Sequence, residues 1–132
     1  MQGLIVRQRR IPLESVALGL YCGHPDRAKY VITSEVEWVS LWNKLADGKT
    51  FQRSVPVVDF SKYMILAVFM GEYPTGGVQT RITSAGERSG KIVVAVFETC
   101  VDEGGEGPGW TAQPYHVVKA PSLSMRVDFW YK

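Results

Sequence analysis

The segment from Asp59 to Gly77 limits the folds open to this chain more than any other part. It contains an uninterrupted apolar run from Met64 to Met70, which ends at Gly71 and is followed by Pro74-Thr75-Gly76-Gly77. A short apolar run between turn residues indicates a buried strand, and glycines allow the positive φ angles that tight turns need. We therefore predict a strand, a turn and a second strand here.

One helix is predicted, over residues 34–47. Ser34 and Glu37 have the spacing of a capping box. In this motif the side chain of each residue accepts a hydrogen bond from the backbone N–H of the other at the helix N-terminus. Apolar residues then recur at the helical spacing i, i+3, i+4 and i+7, as Trp38, Leu41, Trp42 and Leu45. This stripe predicts one face buried against the rest of the protein.

The remaining elements are predicted to be strands joined by short turns. They lie near residues 2–11, 15–22, 29–32, 64–70, 78–83, 91–98, 114–119 and 123–131. Residues 84–90 are predicted to form the hairpin loop between two of them. Because short turns join antiparallel neighbours, we expect an α+β fold. It would be a single domain over residues 1–132, a mainly antiparallel sheet or sandwich with one packed amphipathic helix.

Composition excludes several functional classes. Apolar residues make up 45% and charged residues 21% of the chain, which is typical of a folded domain. The net charge of +2 is too small to indicate nucleic-acid binding. No apolar run is long enough to span a membrane, and the N-terminus lacks the apolar core of a secretory signal. We expect a soluble chain of unknown compartment, with export after removal of an upstream signal as one alternative.

The two cysteines, Cys22 and Cys100, leave two alternatives open. They form one disulfide if the protein is exported, or stay as two buried thiols if it is not. Both follow apolar stretches, which favours the buried thiols.

Candidate catalytic and metal-binding sets are present only as residue types. Ser61, His116 and Asp59 could form a triad, but Asp59 is more simply interpreted as a turn residue that accepts backbone N–H groups. Cys100 with His24 or His116 lacks a local signature, and these residues with Cys22 lack the spacing of a zinc site. The acidic loop 102–109 lacks the ligand spacing of an EF-hand. We predict no enzyme activity, no metal and no cofactor.

A family resemblance is carried by three stretches, Val58-Asp59-Phe60-Ser61-Lys62, Thr75-Gly76-Gly77 and Thr111-Ala112-Gln113-Pro114-Tyr115-His116-Val117-Val118-Lys119. Together with the strand that ends in Gly71, they resemble the C-terminal domain of PrcB-type proteins, over residues 57–121. Many members carry an aromatic residue after the Gly-Gly, where this chain has Val78. That family is named for an accessory subunit of a bacterial cell-surface protease complex. The resemblance implies a non-enzymatic module that stabilises or regulates a protease or envelope protein complex.

Aromatic residues on turns predict where a protein partner would bind, because large aromatic side chains are enriched at recognition surfaces. The predicted partner-binding residues are Tyr73, Thr75, Gly76, Gly77, Trp110 and Tyr115. The segment from Val127 to Tyr131 is predicted to pack as a terminal strand, with strand addition to another protein as the alternative. The alternative function is a small hydrolase or ligand-binding protein with a pocket near Cys100 and His116.

Overall fold

Eight strands and one helix form within the residues that this computed structural model describes, namely 9–46, 54–74, 77–100 and 111–132. The helix is α1 (Glu35–Leu45). The strands are β1 (Arg9–Ile11), β2 (Glu14–Gly19), β3 (Arg27–Ile32), β4 (Tyr63–Met70), β5 (Val78–Arg88), β6 (Lys91–Cys100), β7 (Tyr115–Pro121) and β8 (Val127–Tyr131).

The strands form two four-stranded sheets. Sheet 1 has the order β1-β5-β6-β8, and sheet 2 has the order β2-β7-β4-β3. Pairing among the described strands is antiparallel except between β6 and β8, which run parallel because β7 between them belongs to the other sheet. The predicted α+β class, with one helix and mainly antiparallel sheets, is therefore confirmed. The sandwich alternative stays a prediction.

The apolar run in β4 is explained by burial on both of its faces. Leu66 and its alternate neighbours contribute to an apolar cluster that contains residues of both sheets, including Ile82 of β5 and Val94 of β6. Ile65 and Ala67 contribute to a second cluster on the opposite face, beneath α1. In a strand that is covered on both faces, the side chains on both faces are apolar, so the sequence is continuously apolar.

Helix α1 begins and packs as its sequence predicts. Ser34 is the N-cap, and its hydroxyl oxygen accepts a hydrogen bond from the Glu37 backbone N–H at 3.3 Å while donating one to the Glu37 carboxylate at 2.9 Å. The four stripe residues are the buried ones, namely Trp38, Leu41, Trp42 and Leu45. They pack on the sheet 2 cluster that contains Ile65, Ala67 and Val117.

The predicted hairpin loop over residues 84–90 is wrong, because most of it is strand. β5 continues to Arg88, and only Ser89 and Gly90 form the turn, with φ angles of 54° and 78°. Two consecutive positive φ angles are what a two-residue type I′ hairpin turn requires. Residues 85–87 pair with β1, and the β5–β6 register has an irregularity between Ile82 and Ser84. The composition of residues 84–90 is typical of a loop, but pairing with β1 extends the strand through residues 85–87.

Gly71 directly follows β4, in a backbone conformation that favours glycine. Its φ is +90°, and a Cβ atom there would lie 3.1 Å from the backbone nitrogen of Arg27. We expect Gly71→Ala to lower the free energy of unfolding by about 2 kcal/mol, because backbone strain adds to this contact. Urea unfolding followed by tryptophan fluorescence measures the change.

Gly90 provides the matched control for this prediction. Its φ is +78°, but a Cβ atom would meet nothing within 4 Å. Gly90→Ala should therefore show the strain alone, at about 1 kcal/mol. Equal losses in the two variants would contradict a role for the close approach of Gly71 to Arg27.

Candidate functional site

Tyr73 lies at the turn that the sequence singled out. Its backbone exchanges two hydrogen bonds with Ala112, at 2.9 and 2.8 Å, which ties the turn to the segment that leads into β7. Its half-buried ring packs against a small apolar cluster of Met70, Val78 and Ala112. Tyr73 is thus anchored by its backbone and keeps part of its ring accessible.

The other predicted partner-binding residues have different positions. Thr75, Gly76 and Trp110 lie outside the described residues. Gly77 is half-buried directly before β5. Tyr115 is only 3% exposed.

Tyr115 belongs to the core beneath α1 and not to an accessible surface. Its ring stacks on Phe69 with centroids 6.3 Å apart. The tyrosine also occupies the space beside Gly19, where a Cβ atom would lie 2.9 Å from the Tyr115 hydroxyl. A partner could not contact a ring packed in this way, so Tyr115 is not part of an accessible binding surface.

Two large apolar side chains are exposed on the outer face of sheet 1. Phe97 of β6 is 47% exposed and Trp130 of β8 is 59% exposed. Side chains alternate along a strand, so these residues point away from Val96 and Phe129, which face the cluster shared by the sheets. The ammonium group of Lys132 lies 5.5 Å from the centroid of the Trp130 ring. We call Phe97 and Trp130 the aromatic face.

An ion pair between the sheets lies at the same end of the molecule. Arg27 of β3 donates two hydrogen bonds to the Glu98 carboxylate, at 3.1 and 3.0 Å, and its guanidinium lies 4.9 Å from the Tyr131 ring centroid. The hydrogen bonds to Glu98 raise the pKa of Arg27, partial burial opposes this increase, and the charge of Glu98 adds to it. Glu98 directly follows Phe97 in β6, so this ion pair lies next to the aromatic face along that strand.

Both ring nitrogens of His116 lie within hydrogen-bond distance of a partner, one on Ser15 and one on the backbone of β5. The ring Nδ1 accepts a hydrogen bond from the Ile82 backbone N–H at 2.8 Å, and Nε2 lies 3.0 Å from the Ser15 hydroxyl. Since Nδ1 is an acceptor, the proton of the neutral ring is on Nε2, which donates to Ser15. Burial, helped by the charge of Arg81, lowers the pKa of His116 to about 4. A ring in this tautomer cannot take a proton from Ser15 without breaking its bond to β5.

The other nominated catalytic residues are not brought together. The Ser61 hydroxyl and backbone N–H both donate to Asp59, at 2.6 and 3.0 Å. These bonds lower the pKa of Asp59 and confirm its interpretation as a turn residue. His116 bonds to Ser15 and Ile82 instead of Ser61, so the nominated triad does not form.

Cys22 is a half-buried free thiol that donates weakly to backbone carbonyls of Gln113 and His24. Burial raises its pKa to about 11, so it is protonated at neutral pH and a poor nucleophile. The side chain of Cys100 lies outside what the structure describes. The hypothesis of a pocket lined by Cys100 and His116 therefore rests on His116 alone.

His24 is a second buried histidine in the core beneath α1. Its ring stacks on Phe69 at 4.2 Å, and Nε2 lies 2.7 Å from the Tyr30 hydroxyl. Burial is the main cause that lowers its pKa, followed by the charge of Lys44. Among the described residues, no group of three or more His, Cys, Asp or Glu could hold a metal ion. The acidic loop 102–109 lies outside these residues.

Comparisons with known proteins do not assign a family. No protein-family model, no curated protein and no solved structure matches this chain. In the described part of the chain, no helix combines the length and apolar character needed to cross a membrane.

Sequence reasoning missed the aromatic face. Residues 92–97 are all apolar, which predicts an interior strand. The available signal was the alternation of side chains, which places Phe97 on the face opposite to Val94 and Val96. Deciding which face was covered required the packing of the two sheets.

Proposed function

We propose that this chain is a non-enzymatic protein-interaction module. The observation that carries the proposal is the aromatic face, where Phe97 and Trp130 expose about half of their surface on well-formed strands. Large aromatic side chains are over-represented at the energetic centres of protein interfaces. Helix α1 covers sheet 2, where Phe69 and Tyr115 are buried and therefore unable to bind a partner.

The turn at Tyr73 extends this proposed surface. Tyr73 is held by its two backbone bonds to Ala112, so its ring would lose little conformational entropy on binding. Rigid aromatic anchors of this kind bind with a smaller entropic cost than flexible loops. Thr75, Gly76 and Trp110 remain predicted members of the surface.

The resemblance to PrcB-type proteins supplies the partner class. The resemblance implies that the partner is a protease, or a subunit of a protease or envelope complex. Binding of this chain would stabilise or regulate that partner. This part of the proposal rests on the resemblance alone.

A hydrolase has less support from the geometry. His116 is committed to Ile82 and Ser15, and Ser61 to Asp59. The contacts of these residues therefore favour a structural role over a catalytic site.

Affinity capture from an extract of the source cell tests the proposal. We expect a partner to be retained by the native chain and lost from the double variant Phe97→Ser, Trp130→Ser, because that variant removes the exposed aromatic area without touching the core. Mass spectrometry identifies the retained proteins. Thermal unfolding checks that both chains are folded.

A second double variant provides the matched control. Val36 and Val57 are also exposed apolar residues, at 81% and 97%, but they lie away from sheet 1. Val36→Ser, Val57→Ser should retain the same partner as the native chain. Equal retention by all three chains, or no specific retention, would refute the proposed surface.

A further inference from the structure

The edge strand β8 differs from the other three sheet edges. Exposed edges are usually blocked by short length, proline, bulges or inward-pointing charges, because open backbone groups pair with other chains. β1 has three residues and is followed by Pro12, β2 has an irregular register between Ser15 and Ala17, and β3 carries Arg27 and Lys29 toward sheet 1. Within Val127–Tyr131, β8 has a regular register and none of these features.

The open backbone groups of β8 can be named from its pairing with β6. The Arg126 carbonyl accepts from Ile92 and the Lys132 N–H donates to Val96, so the even-numbered residues of this segment bond to β6. Successive residues of a strand direct their N–H and C=O groups to opposite edges. The groups of Val127, Phe129 and Tyr131 therefore point to the free edge.

A cationic cavity lies beside this edge, between β8 and β3. It has a volume of about 290 Å³ and is lined by Arg27, Ala28, Lys29 and Tyr131. The Lys29 ammonium lies 5.7 Å from the Phe129 ring centroid, and among the described residues it has no carboxylate within ion-pair distance. Arg27 already binds Glu98. The cavity thus offers an available positive charge to an inward-pointing acidic side chain.

The outer side of the same edge carries one large exposed aromatic ring. Trp130 points outward from β8 and is 59% exposed. A strand added next to β8 would place every second side chain beside this ring, where an aliphatic or aromatic residue packs best. The two faces of the edge therefore favour opposite residue types.

We propose that β8 binds an extended acidic segment of the partner protein as an additional strand of sheet 1. Backbone bonds to Val127, Phe129 and Tyr131 provide the pairing. Alternate side chains of the segment are acidic toward Lys29 and apolar toward Trp130. This inference rests on the proposed interaction function and adds the conformation and chemistry of the bound segment.

Charge favours an acidic partner over a second copy of this chain. Cationic side chains outnumber acidic ones around the edge, namely Arg27, Lys29, Lys91, Arg126 and Lys132 against Glu98 and Asp128. Two copies paired through β8 would bring two positive surfaces together, which like-charge repulsion opposes. An acidic segment is attracted by the same charges.

Amide hydrogen exchange, followed by NMR, tests the backbone pairing. The probe is a capped heptapeptide of alternating glutamate and valine. We expect the amides of Val127, Phe129 and Tyr131 to exchange rapidly in the free protein and to become protected when the peptide is added. The amides of Asp128 and Trp130 should be protected in both states, because they bond to β6. Protection of Phe129 without peptide that rises with protein concentration would identify a second copy as the occupant and overturn the proposal.

Reversing the charge of Lys29 tests whether the cavity binds acidic side chains. Lys29→Glu should weaken binding of the glutamate peptide about tenfold or more and strengthen binding of the same peptide with lysine in place of glutamate. Lys62→Glu, which changes an exposed lysine directly before β4, is the matched control and should change neither affinity. A peptide of the same composition with its glutamates in one block should bind weakly.

The outcomes separate this inference from the proposed function. Absence of peptide binding, or equal effects of Lys29→Glu and Lys62→Glu, would overturn strand addition even if a partner is captured through the aromatic face. If the native chain captures no specific partner, that result would count against the proposed interaction module itself.

Discussion

Replacing Trp38 with alanine is expected to lower the free energy of unfolding by about 4 kcal/mol, the typical cost of a large aromatic residue removed from a core. Trp38 is 0% exposed, packs against Trp42 with ring centroids 5.5 Å apart, and donates from its indole N–H to the Pro56 carbonyl at 2.9 Å. The substitution removes the packing, leaves a cavity beneath α1 and leaves that carbonyl without its donor. Urea unfolding followed by circular dichroism measures the loss.

The control for this prediction lies two residues away on the same helix. Val36 is 81% exposed, so Val36→Ala keeps the helix and its core contacts. We expect it to change stability by less than about 0.5 kcal/mol. A loss in Trp38→Ala no larger than that in Val36→Ala would show that α1 does not contribute to a common core with sheet 2.

Lowering the pH is expected to destabilise the protein through His116. The unfolded chain takes up a proton on this ring near its ordinary pKa of 6.5, whereas the folded protein does so only near a pKa of about 4. The stabilising contribution of neutral His116 is therefore complete above pH 6.5 and is lost progressively as the pH falls to about 4. This pKa difference corresponds to about 3 kcal/mol, which solvent screening reduces to about 2 kcal/mol. Urea unfolding at about pH 7.5 and about pH 5 measures the part of this loss that occurs above about pH 5, which is somewhat more than half of it.

His116→Asn is the variant that isolates this contribution. An asparagine side chain can still accept from the Ile82 backbone N–H but has no proton to take up in this range. The variant should therefore lose less stability than the native protein between the same two pH values. His24 also has a lowered pKa and remains in both proteins, so the difference between them reports His116. An unchanged pH dependence in His116→Asn would contradict the buried neutral ring.

The sequence determined the elements whose signal is local. The capping residues Ser34 and Glu37 and the stripe from Trp38 to Leu45 predicted α1 and its buried face, because helical spacing brings those side chains together within one element. The run from Met64 to Met70 predicted a buried strand. Asp59 was predicted as a turn residue, because its side chain bonds within two residues of itself.

Tertiary structure decided the features that depend on contacts between distant segments. β1 keeps residues 85–87 in a strand, although their composition is typical of a loop. Tyr115 is buried because Phe69 and Gly19 meet its ring, while Phe97 is exposed because α1 packs on sheet 2 instead of sheet 1. The exposure of the candidate site likewise depends on contacts between distant segments. Alternation in a strand sets which side chains share a face, but only the packing of the other elements determines which face solvent reaches.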